Sequence, residues 1–416
     1  MALSFRTVAD DELPAYRAAM MATFGDDPES DPEGAARVRA LIGPEQRWAA
    51  FDGGDVVATS GTFDHAIAMP GGGQLAMAGL TMVSVRPTHR RRGILRELMR
   101  LHLEDARRRG FPISGLWASE ASIYQRFGYG IAAEGDAVEV GDARAVTFRE
   151  PRELDAVVHV DEERARAELP AIYDRATAGR PGALIRSAAW WRERRFLEAP
   201  YMRAGASRRR HVGAVRGGAL VGYLQFRQRA SFTDGLPSGS LDIVELVGVD
   251  TRAEASLWQL ALSADLFPRV TWWNAPVDDV LPWIVTDARR VKRRRTDTLW
   301  LRIEDVPAAL SARRYAAGGA LRLEVEGEAW DLVVEGDGGR ARCARCAPGA
   351  SAALGAGAAP LPSLRLSRPA LGSLFLGGVF ATQLARAGEV HGDPAAVAMA
   401  DRLFPWPIAP WCPEIF

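Results

Sequence analysis

The chain has 416 residues, enough for two or three domains, and 48% of them are hydrophobic, the share of a protein with ordinary packed cores. Its 52 Lys and Arg balance 52 Asp and Glu for a net charge of +0, which argues against a nucleic-acid or membrane-surface protein. The 3 cysteines are few and odd in number, so a reducing compartment is expected rather than a disulfide framework.

No signal-peptide pattern opens the chain and no apolar run is long enough to span a bilayer. A cytoplasmic protein is expected, with export by a route lacking a signal peptide left open. Asp10, Asp11 and Glu12 ahead of Leu13, Tyr16, Met20 and Met21 read as a capped helix start. Residues 24–34 form an acidic loop with Asp26, Asp27, Glu29, Asp31 and Glu33, and 36–41 a second amphipathic helix. Strands follow at 48–51 and 56–59 across the Asp52-Gly53-Gly54-Asp55 turn, then at 63–69 and 75–85.

Pro87 ends the last of these strands, because it offers no backbone N–H to a ladder. A short basic turn follows, Arg90-Arg91-Arg92-Gly93. Behind it Ile94, Leu95, Leu98, Met99, Leu101 and Leu103 recur at helical spacing up to Gly110. Strand, basic glycine turn and helix form an arrangement that holds a pyrophosphate. The first helical turn has N–H donors to spare and the positive end of the dipole, and three arginines neutralise phosphate charge. A strand at 113–119 comes next, then Glu120-Ala-Ser-Ile-Tyr124-Gln-Arg-Phe-Gly-Tyr-Gly130.

The middle of the chain repeats the order hairpin, strand, helix, strand. Helices are expected at 162–178, 190–197 and 253–266, and strands at 210–215, 219–226 and 241–249. Its turn differs: Val249-Asp-Thr-Arg-Ala253 has an acid, one arginine and no glycine. From about residue 303 a small α+β region begins. Strands alternate at 321–326 and 330–334 around Gly327, a flexible Ala/Gly/Pro loop spans 347–362, and 369–384 suggests a helix and a buried strand. Residues 403–416 are apolar and stiffened by proline, an end that should dock against the fold. Cys343-Ala-Arg-Cys346 lacks the two further ligands a zinc site needs, and the 6 histidines show no metal spacing, so no metal is expected.

Arg90-Arg91-Arg92-Gly93-Ile94-Leu95 resembles the acetyl-CoA pattern of the GNAT superfamily of N-acetyltransferases, with Leu95 where Gly or Ala is usual. Pro87-Thr-His-Arg-Arg-Arg-Gly93, Ala118-Ser-Glu120 and Ile123-Tyr-Gln-Arg-Phe-Gly-Tyr-Gly130 are more narrowly similar to the Eis (enhanced intracellular survival) acetyltransferases of actinobacteria. So are Leu299-Trp-Leu-Arg-Ile303, Val306-Pro-Ala-Ala-Leu310 and Leu371-Gly-Ser-Leu-Phe-Leu-Gly377 near the end. The resemblance implies an α/β fold of mixed sheets. Residues 1–144 would be a GNAT domain with the acetyl-CoA site, 145–302 a second GNAT-like domain lacking the CoA turn, and 303–416 a small sterol-carrier-protein-like α+β domain.

Cofactor contacts are then expected from Val83, Ser84 and Val85, from Arg90, Arg91, Arg92, Gly93, Ile94, Leu95 and Arg96, and from Ser119 and Glu120. Tyr124 is the expected general acid, because a phenol pKa of about 10 lies near that of a thiol leaving group. The resemblance assigns the general base to the terminal carboxylate, here on Phe416. Asp26, Asp27 and Glu414 are expected substrate contacts for a polycationic amine, although Glu414 stands one position earlier than the acid of the family pattern. Acetyl transfer to aminoglycosides, at one or several amines, or to lysine-like amines is what the resemblance implies, together with a homohexamer built as a trimer of dimers. Two alternatives stay open: a GNAT moving a longer acyl group, and an idle acyl-CoA- or lipid-binding protein.

Overall fold

The computed structural model describes residues 3–336, 339–346 and 360–416; the loop expected over 347–362 lies for the most part outside them. In chain order the first part runs β1 (Leu3–Thr7), α1 (Leu13–Phe24), α2 (Gly34–Leu41), β2 (Arg47–Asp52), β3 (Asp55–Ala68), β4 (Gln74–Val85), α3 (Ile94–Arg108), β5 (Ile113–Trp117), α4 (Ala121–Tyr124) and β6 (Gly130–Ile131). The sheet has the order β1-β2-β3-β4-β5, then Leu299–Ile303, then β6. Each pair in it is antiparallel except β4 with β5. A parallel neighbour needs a crossover, and the amphipathic α3 supplies it by burying Ile94, Leu98, Met99 and Leu103.

The chain packs as two compact units. One holds Met1–Ala133, Pro181–Glu193 and Thr298–Phe416; the other holds Glu134–Arg180 and Arg194–Asp297. Packing therefore runs differently from the division expected along the chain at 144/145 and 302/303. Glu134–Val140 joins the sheet of the second unit, whereas Leu299–Ile303 returns to the first sheet between β5 and β6. Within the first unit, part of Pro181–Glu193 runs antiparallel beside the end of β3, bridging Ile67 and Leu184. The Ala68 N–H donates to the Ala183 carbonyl (2.8 Å) and the Ile185 N–H to the Ala66 carbonyl (2.8 Å). The C-terminal part adds a five-stranded sheet, in order Ala341–Cys346, Glu328–Val334, Gly319–Val325, Ser363–Leu366 and Val390–Gly392. Leu321, Phe375 and Phe404 from this part share one apolar cluster with Phe63, Met77 and Leu301 of the first sheet.

In the second unit a seven-stranded sheet carries the helices Glu162–Thr177 and Thr251–Leu262. The buried rings of Trp258 and Trp272 pack 5.9 Å apart.

Several elements differ from expectation. No side chain of Asp10, Asp11 or Glu12 caps α1; these residues form a short 3-10 turn, in which the Glu12 carboxylate accepts the Ala9 N–H (3.0 Å) and pairs with Arg6. The helix expected at 190–197 is one turn, Ala188–Trp190, relaxed into a π turn over Trp191–Arg195. The helix expected to reach 266 stops at Leu262. Residues 369–384 form two helices, Arg368–Leu374 and Ala381–Arg386, and the strand comes later at Val390–Gly392. A short apolar run such as 371–376 fits a buried helix as well as a buried strand.

Candidate active site

β4 and β5 pair only from Met77 opposite Ile113 to Gly79 opposite Gly115. Beyond that point each continues without the other, so the sheet opens into a cleft. β4 is also bulged there: the register with β3 passes from Gly61 opposite Thr81 to Thr59 opposite Ser84, which leaves Met82 and Val83 facing Ser60. Met82 takes φ 52°, a left-handed conformation costly for a residue with a long side chain. Thr59 fastens the bulge, donating to the Met82 carbonyl (2.6 Å) and bonding the buried Ser84 hydroxyl (2.7 Å). A bulge of this kind turns backbone polar groups toward the open side of the sheet.

The basic turn follows directly. Arg91 (φ 61°) and Gly93 (φ 79°) are both left-handed, and this reverses the chain into α3. Arg90, Arg91, Arg92, Gly93 and Arg96 are exposed, whereas Ile94 is buried beneath them. Nothing lies within 4 Å of where a Cβ on Gly93 would stand, so the approach to the helix N-terminus is open. Asp52 steadies the turn through His89 (3.2 Å) and Arg92 (3.7 Å); the bond from His89 holds its carboxyl below the usual range. Exposed cations, an open glycine and a helix N-terminus together fit a pyrophosphate.

Tyr124 closes α4 and is 4% exposed. It belongs to an apolar cluster with Leu80, Met99, Leu103, Leu116, Tyr129 and Trp300, against which Val83 and Leu95 also pack. The expected acid and two of the expected cofactor contacts thus converge. Burial pushes the Tyr124 phenol above its ordinary pKa, opposed by a hydrogen bond with Ser119 and reinforced by the charge of Glu120. Ser119 and Glu120 are exposed just before α4.

Phe416 is 8% exposed, and its ring meets the His65 ring at 5.0 Å and 72°. His65 packs in turn on Phe63 (5.1 Å) and Trp190 (4.8 Å). A Cβ on Gly79 would stand 2.7 Å from His65 Cδ2 and 3.3 Å from Phe416 Cε2. Glycine is therefore required where the cleft begins, and the last residue of the chain lies against that point. The next residue, Leu80, points to the other face, into the Tyr124 cluster.

Glu414, an expected substrate contact, lies buried at the chain end. It is 3% exposed, and its Oε1 accepts from Arg186 at 2.5 Å, with the Arg186 guanidinium 4.6 Å over the Trp191 ring. The Trp411 N–H donates to the Pro181 carbonyl (2.9 Å) and the Cys412 thiol to the Glu414 carbonyl (3.4 Å). Glu414 thus anchors the chain end. The acidic loop is ordered in a similar way: Asp31 is buried between Arg17 (2.7 Å) and Arg37, whereas Asp26, Asp27, Glu29 and Glu33 remain exposed. His65, Trp190 and Arg186 were not legible beforehand. The only signal was indirect, an apolar chain end that had to dock somewhere.

The corresponding turn in the second unit is built differently. Asp250 caps the helix Thr251–Leu262 by accepting the Ala253 N–H (2.9 Å) and binds Arg216 (2.7 Å). Burial and the neighbouring Asp279 push the Glu254 carboxyl up to about 7. Burial pushes Asp279 up to about 6. Carboxylates therefore occupy the positive end of this helix. Cys343 and Cys346 sit three apart on one strand and so point to opposite faces, and among the described residues no group of three or more His, Cys, Asp or Glu is arranged to hold a metal ion.

Three family profiles match the chain in order: an acetyltransferase (GNAT) domain over residues 4–132, another acetyltransferase (GNAT) domain over 182–303, and a sterol carrier protein domain over 306–413. An uncharacterised N-acetyltransferase of Streptomyces coelicolor is 35% identical over 430 residues, covering 100% of both chains. The N-acetyltransferase Eis of Mycobacterium bovis is 33% identical over 408 residues, 94% of each chain. Among solved structures, Eis1 from Mycobacterium abscessus matches with a TM-score of 0.82 at 29% identity, over 99% of this chain and 100% of that one.

Proposed function

The chain belongs to the Eis family of GNAT N-acetyltransferases, and on that premise we propose that it moves the acetyl group of acetyl-CoA directly to amines of polycationic acceptors such as aminoglycosides or lysine-like amines. The observation that carries this reading is the convergence at one cleft. The basic turn leads into α3 at its mouth, Tyr124 is buried on one face of β4, and Phe416 lies against Gly79 on the other.

Acetyl-CoA supplies the activated acetyl group. Arg90, Arg91 and Arg92 with the first N–H groups of α3 bind the pyrophosphate. The open edge of β4 at Val83 and Val85 binds the pantetheine as an added strand would be bound. Tyr124 keeps its proton at neutral pH, since burial raises its pKa, and donates it to the departing sulfur. The Phe416 carboxylate, delivered by the Glu414–Arg186 anchor, takes the proton of the attacking ammonium directly or through a water. Exposed Asp26 and Asp27 attract the cationic acceptor.

The low, odd number of cysteines, none of them in a disulfide, supports a reducing, cytoplasmic setting, and likeness to the family supports a homohexameric assembly. The test is free-thiol release from acetyl-CoA over an aminoglycoside panel. Wild type is expected to turn over. Tyr124→Phe should lose about 10²–10⁴-fold in kcat with acetyl-CoA still bound. A chain extended by a few residues beyond Phe416 should lose turnover as well. Wild-type rates in the extended chain would remove the terminal carboxylate from the mechanism. Binding without turnover in the native chain would favour the acyl-CoA-binding reading.

A further inference from the structure

A second tyrosine stands beside the expected acid, and the reading above gives it no role. Tyr129 is fully buried, its ring lies 6.2 Å from that of Tyr124 at 76°, and its N–H donates to the Tyr124 carbonyl (3.3 Å). Its hydroxyl opens a buried polar chain. Tyr129 Oη lies 2.7 Å from Ser114 Oγ, Ser114 Oγ lies 2.8 Å from His102 Nε2, and His102 Nδ1 lies 2.8 Å from Thr62 Oγ1. The four side chains are 0–2% exposed.

One proton order that satisfies every group of this chain starts from the Ser114 hydroxyl on the Ala78 carbonyl. Ser114 donates to the Ala78 carbonyl at 3.0 Å, so its single hydrogen is committed. It must then accept from both Tyr129 and His102. His102 therefore carries its hydrogen on Nε2 and accepts on Nδ1 from Thr62. This order holds a neutral imidazole, and burial, helped by the charge of Arg302, pushes the His102 pKa down to about 3. Tyr129, with its one hydrogen held by Ser114, has none to give to a departing sulfur. In this order the proton for a departing sulfur comes from Tyr124 and not from Tyr129.

The position of this chain is informative. Ser114 faces Ala78 in the last stretch of β4–β5 pairing, one residue before the cleft opens at Gly79 and Gly115. The bonds tie β3 through Thr62, α3 through His102, β4 through the Ala78 carbonyl, β5 through Ser114 and the Tyr124 loop through Tyr129. Four buried polar groups would be needless for stability alone, since apolar side chains of similar volume pack as well without desolvating hydroxyls. A fully satisfied network instead fixes one geometry.

We infer that the Thr62–His102–Ser114–Tyr129 chain pins the closed end of the β4–β5 cleft and sets the position of Tyr124, which makes His102 and Tyr129 positioning residues for acetyl transfer. This rests on the reading of Tyr124 as the acid.

The test compares Tyr129→Phe, His102→Leu and His102→Gln in the full-length protein. Gln keeps a donor toward Ser114, and Leu removes it. Expected are a fall of about 10-fold or more in kcat for Tyr129→Phe and His102→Leu, a KM for acetyl-CoA within about twofold of wild type, and recovery of most of kcat in His102→Gln. Wild-type kcat in both deleting variants overturns the inference. So does a loss that follows the fall in melting temperature with no recovery in His102→Gln. Hydrogen exchange reads the pin without any acceptor. Amides of 119–130 should exchange about 10-fold faster in Tyr129→Phe with the rest of the first unit unchanged; equal exchange overturns it. A wild type that turns over no acceptor, with exchange responding as expected, overturns the proposed function and leaves the pin standing.

Discussion

Two helices follow the same strand-turn pattern in this molecule and begin in opposite ways. α3 starts behind Arg90, Arg91, Arg92 and an open Gly93, all exposed. The helix Thr251–Leu262 starts behind Asp250, whose carboxylate already takes the Ala253 N–H, with Glu254 in its first turn. Both helix N-termini have donors to satisfy and a positive dipole end. The first leaves that demand open and surrounds it with cations. The second meets it from its own side chains and ties Arg216 to the result. One strand-turn-helix pattern thus yields an open turn rimmed by cations or a closed, self-capped one, depending on a handful of residues at the helix start.

The largest expected effect comes from emptying the first turn. Replacing Arg90, Arg91 and Arg92 together by alanine should weaken acetyl-CoA binding by about 10²–10³-fold, since three exposed cations at roughly 1 kcal/mol each contribute about 3 kcal/mol and about 1.4 kcal/mol is tenfold. Calorimetric titration measures this, and an unchanged affinity would place the pyrophosphate elsewhere.

The next effect sharpens the other side of the comparison. Glu254 is pushed up to about 7 by burial and by Asp279, with Asp278 and Asp250 adding to the shift and Arg180 opposing it. The folded state keeps this proton to higher pH than the unfolded chain does. Stability is therefore lost as pH rises from about 4.5 to about 7. Glu254→Gln cannot ionise. It should be more stable than wild type by on the order of 2 kcal/mol at pH 8, with the difference vanishing near pH 4. Melting curves at the two pH values decide it; a difference independent of pH would mean that packing and not charge is responsible.

The smallest effect is that of the cap. Asp250→Ala should cost about 1 kcal/mol, as lost N-caps do, and create no second acetyl-CoA site, because Glu254 and Asp279 remain. A gain in acetyl-CoA stoichiometry would mean that the cap alone closes that turn.

What was legible in advance follows the range of the interactions. The residues of both turns were readable because they are neighbours in the chain, whereas Tyr124 was picked out by resemblance and its cluster draws on Leu80, Met99 and Trp300. The two helices at 368–386 were harder, since a short apolar run leaves period and length ambiguous. The surroundings of Phe416 were beyond reach: His65 comes from β3, Trp190 and Arg186 from the segment between the two parts of the second unit, and Glu414 from the chain end. No local pattern marks residues that meet only after folding. Glu414 is a case in point. The resemblance makes it a substrate contact, and its burial against Arg186, more than two hundred positions earlier, has no local signal. The strand exchange, with Glu134–Val140 leaving the first sheet and Leu299–Ile303 returning to it, is likewise a tertiary choice. Asp31 shows that even near neighbours can hide a role, because an acid in an acidic stretch reads as solvated until Arg17 and Arg37, on the two helices flanking the loop, close on it.

The most direct test of the comparison is the number of acetyl-CoA molecules bound per chain, measured by calorimetric titration of the wild type and of the Arg90, Arg91 and Arg92 triple-alanine variant. One per chain, weakened about 10²–10³-fold in the variant, is the expected result. Two per chain, or one whose affinity survives the triple substitution, would contradict the assignment of the cofactor to the first turn alone.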